Sequence, residues 1–302
     1  MPAAPVVGQI ARAAMTAVEK LRSAIERTGS LVSAGIEPAP DYMPAGGEFT
    51  PSTAGYLEFF RLFVEATSDL VAAYKFNLAF FESQGVEGIR LLYRVRDLIP
   101  DNAVVIADAK RGDIGTTAKH YAKSLFEVFG ADAVTVNPLM GRDSAEPFLT
   151  YTDRLTYFLA LTSNPGAADF ILPERLYERI AASVADWSDE NAGLVVGATK
   201  GADEVRAVRG AAPGLPFLVP GLGAQGGSAE TVVRAGAVAV DCGLSGLGLL
   251  LHSTRGLLPG DADQGQDVAE VVRRKTVAFR EQIAGAVDGA LKTTAREGQS
   301  QS

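Results

Sequence analysis

Short apolar runs recur along the chain, and stretches with helical spacing of apolar positions separate them. The first helical stretch, 9–28, sets Ile10, Ala14, Ala17, Leu21 and Ile25 among mixed charges. A strand over 31–36 follows and ends in Glu37-Pro38. Pro38, Pro40, Pro44, Pro51 and the pair Gly46-Gly47 then give a loop composition. Beyond it the alternation predicts a helix over 54–70 before a strand over 71–76, and a helix over 83–98 before a strand over 103–108. A helix over 116–129 precedes a strand over 133–136, and a short helix after Asp143 precedes one over 157–161. Helices over 172–186 and 201–209 precede strands over 193–196 and 216–219. A helix over 228–235 leads to a last strand region, 237–241, with a continuation towards 251, and a long helix covers 267–292. The polar residues 293–302 read as a disordered tail.

Strands alternating with helices imply a parallel sheet with helices outside. No composition break marks a linker, so residues 1–292 read as one domain. About eight such units favour a closed (β/α)8 TIM barrel over an open doubly wound sheet. Polar residues stand at or just after the strand ends: Glu37, Lys75, Asp108, Lys110, Asn137, Ser163, Gln225 and Arg255. A barrel would gather them on its C-terminal face, where active sites sit.

The densest of these clusters is Asp108-Ala109-Lys110-Arg111-Gly112-Asp113, directly after the apolar run Ala103-Val104-Val105-Ile106. Residues two apart on a strand point the same way, so Asp108 and Lys110 share a side. A strand apolar on both faces is buried on both, which argues against a merely solvated ion pair at its end. Lys75 ends another apolar strand; alone it would be a lysine with its head in water. With the others it completes a chain of alternating charges, Lys75, Asp108, Lys110 and Asp113, each stabilising the next. Flanking aspartates keep Lys110 protonated, so it suits proton donation better than nucleophilic attack. Two carboxylates also suit Mg²⁺, but a lysine between them competes for the same space and charge, which puts a metal second.

Composition narrows the field. A formal net charge of -8 argues against nucleic acid as a partner, but does not disfavour a phosphorylated substrate. One cysteine, Cys242, excludes an intrachain disulfide and reads as a small buried apolar residue; two histidines, His120 and His252, are too few for a histidine-rich zinc site. No signal segment or membrane span is evident, and the chain reads as soluble and cytoplasmic.

Two later loops suit an anion. Gly221, Gly223, Gly226 and Gly227 follow a strand and open a helix, an arrangement that lets backbone N–H groups approach a phosphate. Their spacing also fits G-x-G-x-x-G, a weak pointer to a dinucleotide in this context. Arg255 follows the eighth strand, where barrels often hold phosphate, and a guanidinium grips it in bidentate fashion. Ser163, in Thr162-Ser163-Asn164-Pro165-Gly166, is as well explained by turn chemistry as by a ligand.

The segment Asp108 to Gly115 resembles the D-x-K-x-x-D signature of the orotidine 5′-phosphate decarboxylase family, in the form of its longer bacterial group. The resemblance extends, in order, to Lys75-Phe76-Asn77, Thr135-Val136-Asn137-Pro138, Thr162 to Gly166, Pro220 to Gly227 and Ser253-Thr254-Arg255-Gly256. It implies a homodimeric (β/α)8 barrel, without cofactor or metal, that converts orotidine 5′-monophosphate to uridine 5′-monophosphate and CO₂ in the last step of de novo UMP synthesis. By the same resemblance Lys75 orients Asp108 and binds the ribose, Asp108 faces the substrate carboxylate, and Lys110 stabilises and then protonates C6. Asp113 and Thr117 reach the ribose of the partner's site. Ser163 contacts the pyrimidine, and Gln225 and Arg255 hold the phosphate. One position departs from the family, whose Gly-Leu/Ile-Asp-Pro is here Gly35-Ile36-Glu37-Pro38. Glutamate reaches further by one bond, roughly 1.5 Å. It binds a ribose hydroxyl with the sugar shifted, or suits another sugar. That leaves as rivals a related barrel decarboxylase or aldolase acting on a modified nucleotide or a pentulose phosphate, and a catalytically silent nucleotide-binding homologue.

Overall fold

The computed structural model describes residues 15–44, 49–188, 190–222, 226–237 and 248–300, with side chains as far as residue 291. Eight strands form a closed parallel barrel in sequence order: β1 Val32–Ile36, β2 Ala73–Asn77, β3 Val104–Arg111, β4 Ala133–Val136, β5 Leu155–Leu161, β6 Ala192–Val196, β7 Phe217–Val219 and β8 Leu249–Ser253. Strand β8 closes on β1 through Ser33 opposite His252 and Ala34 opposite Ser253. Valine, leucine, isoleucine and alanine dominate these strands because a parallel sheet under helices is buried on both faces.

The helices are α1 Ala17–Thr28, α2 Thr53–Thr67, α3 Leu78–Glu82, α4 Gly85–Arg96, α5 Gly115–Lys123, α6 Arg142–Leu149, α7 Ala167–Phe170, α8 Leu176–Trp187, α9 Ala202–Ala211, α10 Ala229–Gly236 and α11 Val268–Ser300. Each longer one buries a stripe; α2 turns Tyr56, Phe59, Phe60, Phe63, Val64 and Thr67 inward at helical spacing. Helix α1 starts in a reciprocal cap: Glu19 N donates to Thr16 Oγ1 at 3.2 Å and Thr16 N to Glu19 Oε2 at 2.8 Å. It covers the N-terminal side of the barrel, where Lys20 Nζ lies 2.7 Å from Asp132 and Asp132 accepts from Val105 N.

Three expectations need adjustment. The eighth strand lies at Leu249–Ser253, beyond the 237–241 region favoured by the apolar pattern; residues 238–247, with Asp241 and Cys242, lie outside the described residues. Helix α11 continues to Ser300, into the stretch expected to be a disordered tail. The helix expected over 172–186 is split, with Pro173 in a turn before α8 because proline cannot donate within a helix. Arg209 adds a buried connection that periodicity does not show: its guanidinium donates to the carbonyls of Gly236, Leu215 and Gly248 and lies 3.5 Å from the Phe217 ring centroid. It ties the ends of α9 and α10 to the start of β7 and satisfies carbonyls that water cannot reach.

Candidate active site

A cavity of about 320 Å³ opens at the C-terminal ends of the strands. Its lining includes Glu37, Lys75, Asn77, Asp108, Lys110, Thr135, Ser163, His252 and Arg255. A larger groove, about 660 Å³, lies on the outer surface between α5 and α6 among Lys119, His120, Lys123, Asp143 and Glu146. Its charges are spread over an open surface, whereas the smaller cavity holds buried charges in contact, so the chemistry belongs to the smaller one.

Asp108 is the centre of that cavity. Register places Asn77 opposite Asp108 and Gly35 opposite Lys75, which brings the ends of β1, β2 and β3 together. Lys75 Nζ lies 2.5 Å from Asp108 Oδ2, and Lys110 Nζ lies 2.5 Å from Oδ1. Thr135 Oγ1 donates to the same Oδ1 at 2.8 Å. Burial pushes the Asp108 carboxyl up, but the two ammonium groups outweigh it and hold the group well below the usual carboxylate range. The carboxylate is therefore ionised throughout the working pH range. Lys75 is buried at 4% exposure, while the Lys110 side chain is 51% exposed, so Lys110 is the more open of the two cations.

Lys110 does share a side with Asp108, though not through regular strand geometry. Its φ is +47°, in the left-handed region, and the pairing of β3 with β4 shifts between Ala107 and Arg111. The irregularity re-aims the side chain at a cost of order 1–3 kcal/mol. The surroundings hold it: Lys110 N donates to Thr135 Oγ1 at 3.0 Å, Asn137 N donates to Arg111 O at 2.7 Å, and Arg111 pairs with Glu82 and lies over the Tyr121 ring.

Three of the four charges expected in one buried site meet there; Asp113 does not. Strand β3 ends at Arg111, the chain turns away to α5, and Asp113 Oδ1 accepts from Ile114 N at 2.8 Å. Neither Asp113 nor Thr117 belongs to the described lining of the cavity in its own chain. Glu37 does line it, and its Oε1 accepts from Asn77 Nδ2 at 3.4 Å. Ser163 lines it too, just after β5; its carbonyl accepts from Thr199 Oγ1 at 2.7 Å. A Cβ at position 197 would stand 2.7 Å from Ser163 backbone, so this close approach requires Gly197. Arg255 stands exposed at the rim beside Gly256. Gln225 lies outside the described residues, while Gly221 and Leu222 line the cavity beside it in sequence.

Sequence reasoning passed over Thr135, Asn77 and His252 as site residues. Thr135 and His252 each had a signal, a polar residue within an apolar strand; Asn77 follows Lys75 by two positions and so shares its face. The Asn137 segment proves to be a turn, with Leu139 N donating to Asn137 Oδ1. The closed barrel leaves no open-sheet crevice, which removes the dinucleotide reading of the glycine spacing.

Comparison with known proteins gives a consistent picture. The sequence profile described as the Orotidine 5′-phosphate decarboxylase / HUMPS family matches residues 56–244. The chain is 39% identical over 279 residues to the orotidine 5′-phosphate decarboxylase of Dehalococcoides mccartyi strain CBDB1, covering 88% of this chain and 100% of that one. It is 42% identical over 271 residues to the namesake of Azoarcus sp. strain BH72, covering 87% of this chain and 96% of that one. Among solved structures, Leishmania donovani OMP decarboxylase superposes with a TM-score of 0.75 at 34% identity, covering 90% of this chain and 99% of that one.

Proposed function

The chain belongs to the orotidine 5′-phosphate decarboxylase / HUMPS family, and on that premise we propose that it converts orotidine 5′-monophosphate to uridine 5′-monophosphate and CO₂. The observation that carries the proposal is the carboxylate of Asp108 held between two ammonium groups at the cavity floor. When the bond from C6 to the carboxylate breaks, the electron pair stays on C6 and CO₂ leaves. Lys110 Nζ supplies a fixed positive charge where that pair develops, which favours the transition state over the ground state. A proton then moves from Lys110 Nζ to C6, and the product leaves with a C6–H bond. Asp108, kept ionised, stands against the departing carboxylate; Lys75 orients it and faces the ribose. Phosphate at Arg255, remote from C6, contributes binding energy that positions the reacting carbon.

In the same proposal the enzyme is a cofactor-independent, cytoplasmic homodimer, with Asp113 and Thr117 directed to the partner's site. Their place outside the cavity of their own chain supports this. Glu37 serves the ribose. A metal finds little room, since Lys75, Lys110 and Thr135 occupy both oxygens of Asp108. No helix among the described residues is long and apolar enough to cross a membrane.

The test is loss of orotidine 5′-monophosphate absorbance with purified protein, with and without chelator, and with Lys110→Ala as control. Turnover that survives chelation and vanishes in the variant is the expected result. No turnover by the unaltered protein, with uridine 5′-monophosphate still bound, would indicate a silent homologue instead.

A further inference from the structure

His252 is a buried titratable group that the chemistry above does not use. It sits on β8 at 6% exposure and lines the cavity. Its Nδ1 is 3.1 Å from the backbone oxygen of Ser33 and 3.2 Å from Ser33 Oγ, and its Nε2 is 3.2 Å from Thr254 Oγ1. A carbonyl oxygen only accepts, so the contact to Ser33 places a proton on Nδ1. Nε2 is then the acceptor, and Thr254 Oγ1 donates to it. Burial and the nearby Lys75 charge hold the imidazole well below the usual histidine range, so the ring carries that single proton.

Thr254 is fixed from a second side. A Cβ at position 35 would stand 1.9 Å from Thr254 Oγ1, so the hydroxyl occupies space that only Gly35 leaves open. Thr254 directly precedes the turn Arg255–Leu257, and Arg255 and Gly256 line the cavity. Ser33 belongs to β1, the strand that ends beside Glu37. One imidazole thus links the strand leading to Glu37 with the turn bearing Arg255.

We propose that His252 is a positioning residue for the phosphate of the substrate: its Nδ1–H tautomer ties Thr254 to β1 and fixes the turn that presents Arg255. The proposal rests on the nucleotide decarboxylase function above. It makes the hydroxyl of Thr254 a strut with its hydrogen committed to His252, and it separates a role in phosphate binding from the decarboxylation step at Asp108 and Lys110.

The test compares His252→Asn, His252→Gln and Thr254→Val in the full chain. Asparagine reaches the place of Nδ1 but not that of Nε2; glutamine reaches the place of Nε2; valine keeps the threonine shape without the donor. Steady-state KM and kcat are measured with orotidine 5′-monophosphate, and affinities with uridine 5′-monophosphate and with uridine. The expected result is a KM raised about tenfold in His252→Asn and Thr254→Val, the size of one lost buried hydrogen bond. The change should fall mainly on KM, affinity for uridine 5′-monophosphate should weaken in parallel, uridine binding should hold, and His252→Gln should recover most of the loss. Equal losses for nucleotide and nucleoside, or no loss in either variant, would overturn the proposal. If His252→Asn does not fold, Thr254→Val decides alone. Absence of turnover in the unaltered protein would overturn the decarboxylase function instead, a distinct outcome.

Discussion

Thr135 Oγ1 lies 2.8 Å from Asp108 Oδ1, the same oxygen that receives Lys110 Nζ, and it also accepts from the backbone N–H of Lys110 at 3.0 Å. One hydroxyl from β4 therefore holds both the carboxylate and the irregular backbone that aims the ammonium. Thr135→Val keeps the shape, leaves Lys110 N without its acceptor and loosens Oδ1. We expect kcat to fall about tenfold or more, with stability lowered by about 1–3 kcal/mol. Steady-state kinetics and urea unfolding on the same preparation check both; unchanged kcat would remove Thr135 from the machinery.

Asp113 offers a test of assembly. If its carboxylate serves the partner's site, Lys110→Ala and Asp113→Ala are each inactive alone. Mixed and re-equilibrated, they form heterodimers in which one site has every group intact. Random exchange places about a quarter of the sites of unaltered enzyme in that state. Recovery of activity near that level is expected; none would place Asp113 in its own chain's chemistry, and an active Asp113→Ala variant would place it outside the chemistry altogether.

Stability should depend on pH with a definite sign. The folded state holds His252 well below the usual histidine range, chiefly through burial. The unfolded chain takes up a proton near pH 6.5 that the folded chain refuses. The contribution is complete above that pH and is lost as pH falls towards the folded value, at no more than about 1.4 kcal/mol per pH unit. Urea unfolding at pH 7.5 and 5.5 should show this loss, and His252→Gln should flatten it. Asp108 acts with the same sign in a lower window, below about pH 3.9, where the unfolded aspartate is protonated while the folded one stays ionised. A flat profile across both windows contradicts the assignment.

Glu37→Asp separates two placements of the sugar in the site. Glu37 reaches Asn77 at 3.4 Å, and the shorter side chain would withdraw from the cavity by about one bond length. If the ribose of orotidine 5′-monophosphate is the partner in its usual place, the substitution should leave KM within about threefold or lower it. A large rise in KM, with kcat preserved, would show that the cavity is built around the longer carboxylate and a shifted sugar.

Legibility in the sequence followed the physics of each element. The barrel was readable because parallel strands buried on both faces leave uninterrupted apolar runs, as in Val104–Ile106, and surface helices leave stripes, as in α2. The eighth strand was misplaced because the region 237–251, apolar apart from Asp241 and Ser245, is broken by glycines, so periodicity could not fix its register. Lys75, Asp108 and Lys110 stood out as charges ending buried strands. Thr135, Asn77 and His252 did not, because their roles arise from neighbours on other strands: register brings Asn77 beside Asp108, and strand closure brings His252 beside Ser33. The left-handed φ of Lys110 has no sequence signal, since lysine is not a residue that prefers it.

Position 110 carries two incompatible preferences. Its backbone suits glycine or asparagine, while its side chain must present an ammonium to the cavity. A stability-guided redesign that follows backbone preference alone would choose this residue among the first to replace, and would remove the ammonium proposed above as the proton donor. By conformational criteria Lys110 stands with Glu174 and Arg175 as a described non-glycine residue at left-handed φ, and on the chemistry proposed above it is the one that any programme of thermostabilisation must hold fixed.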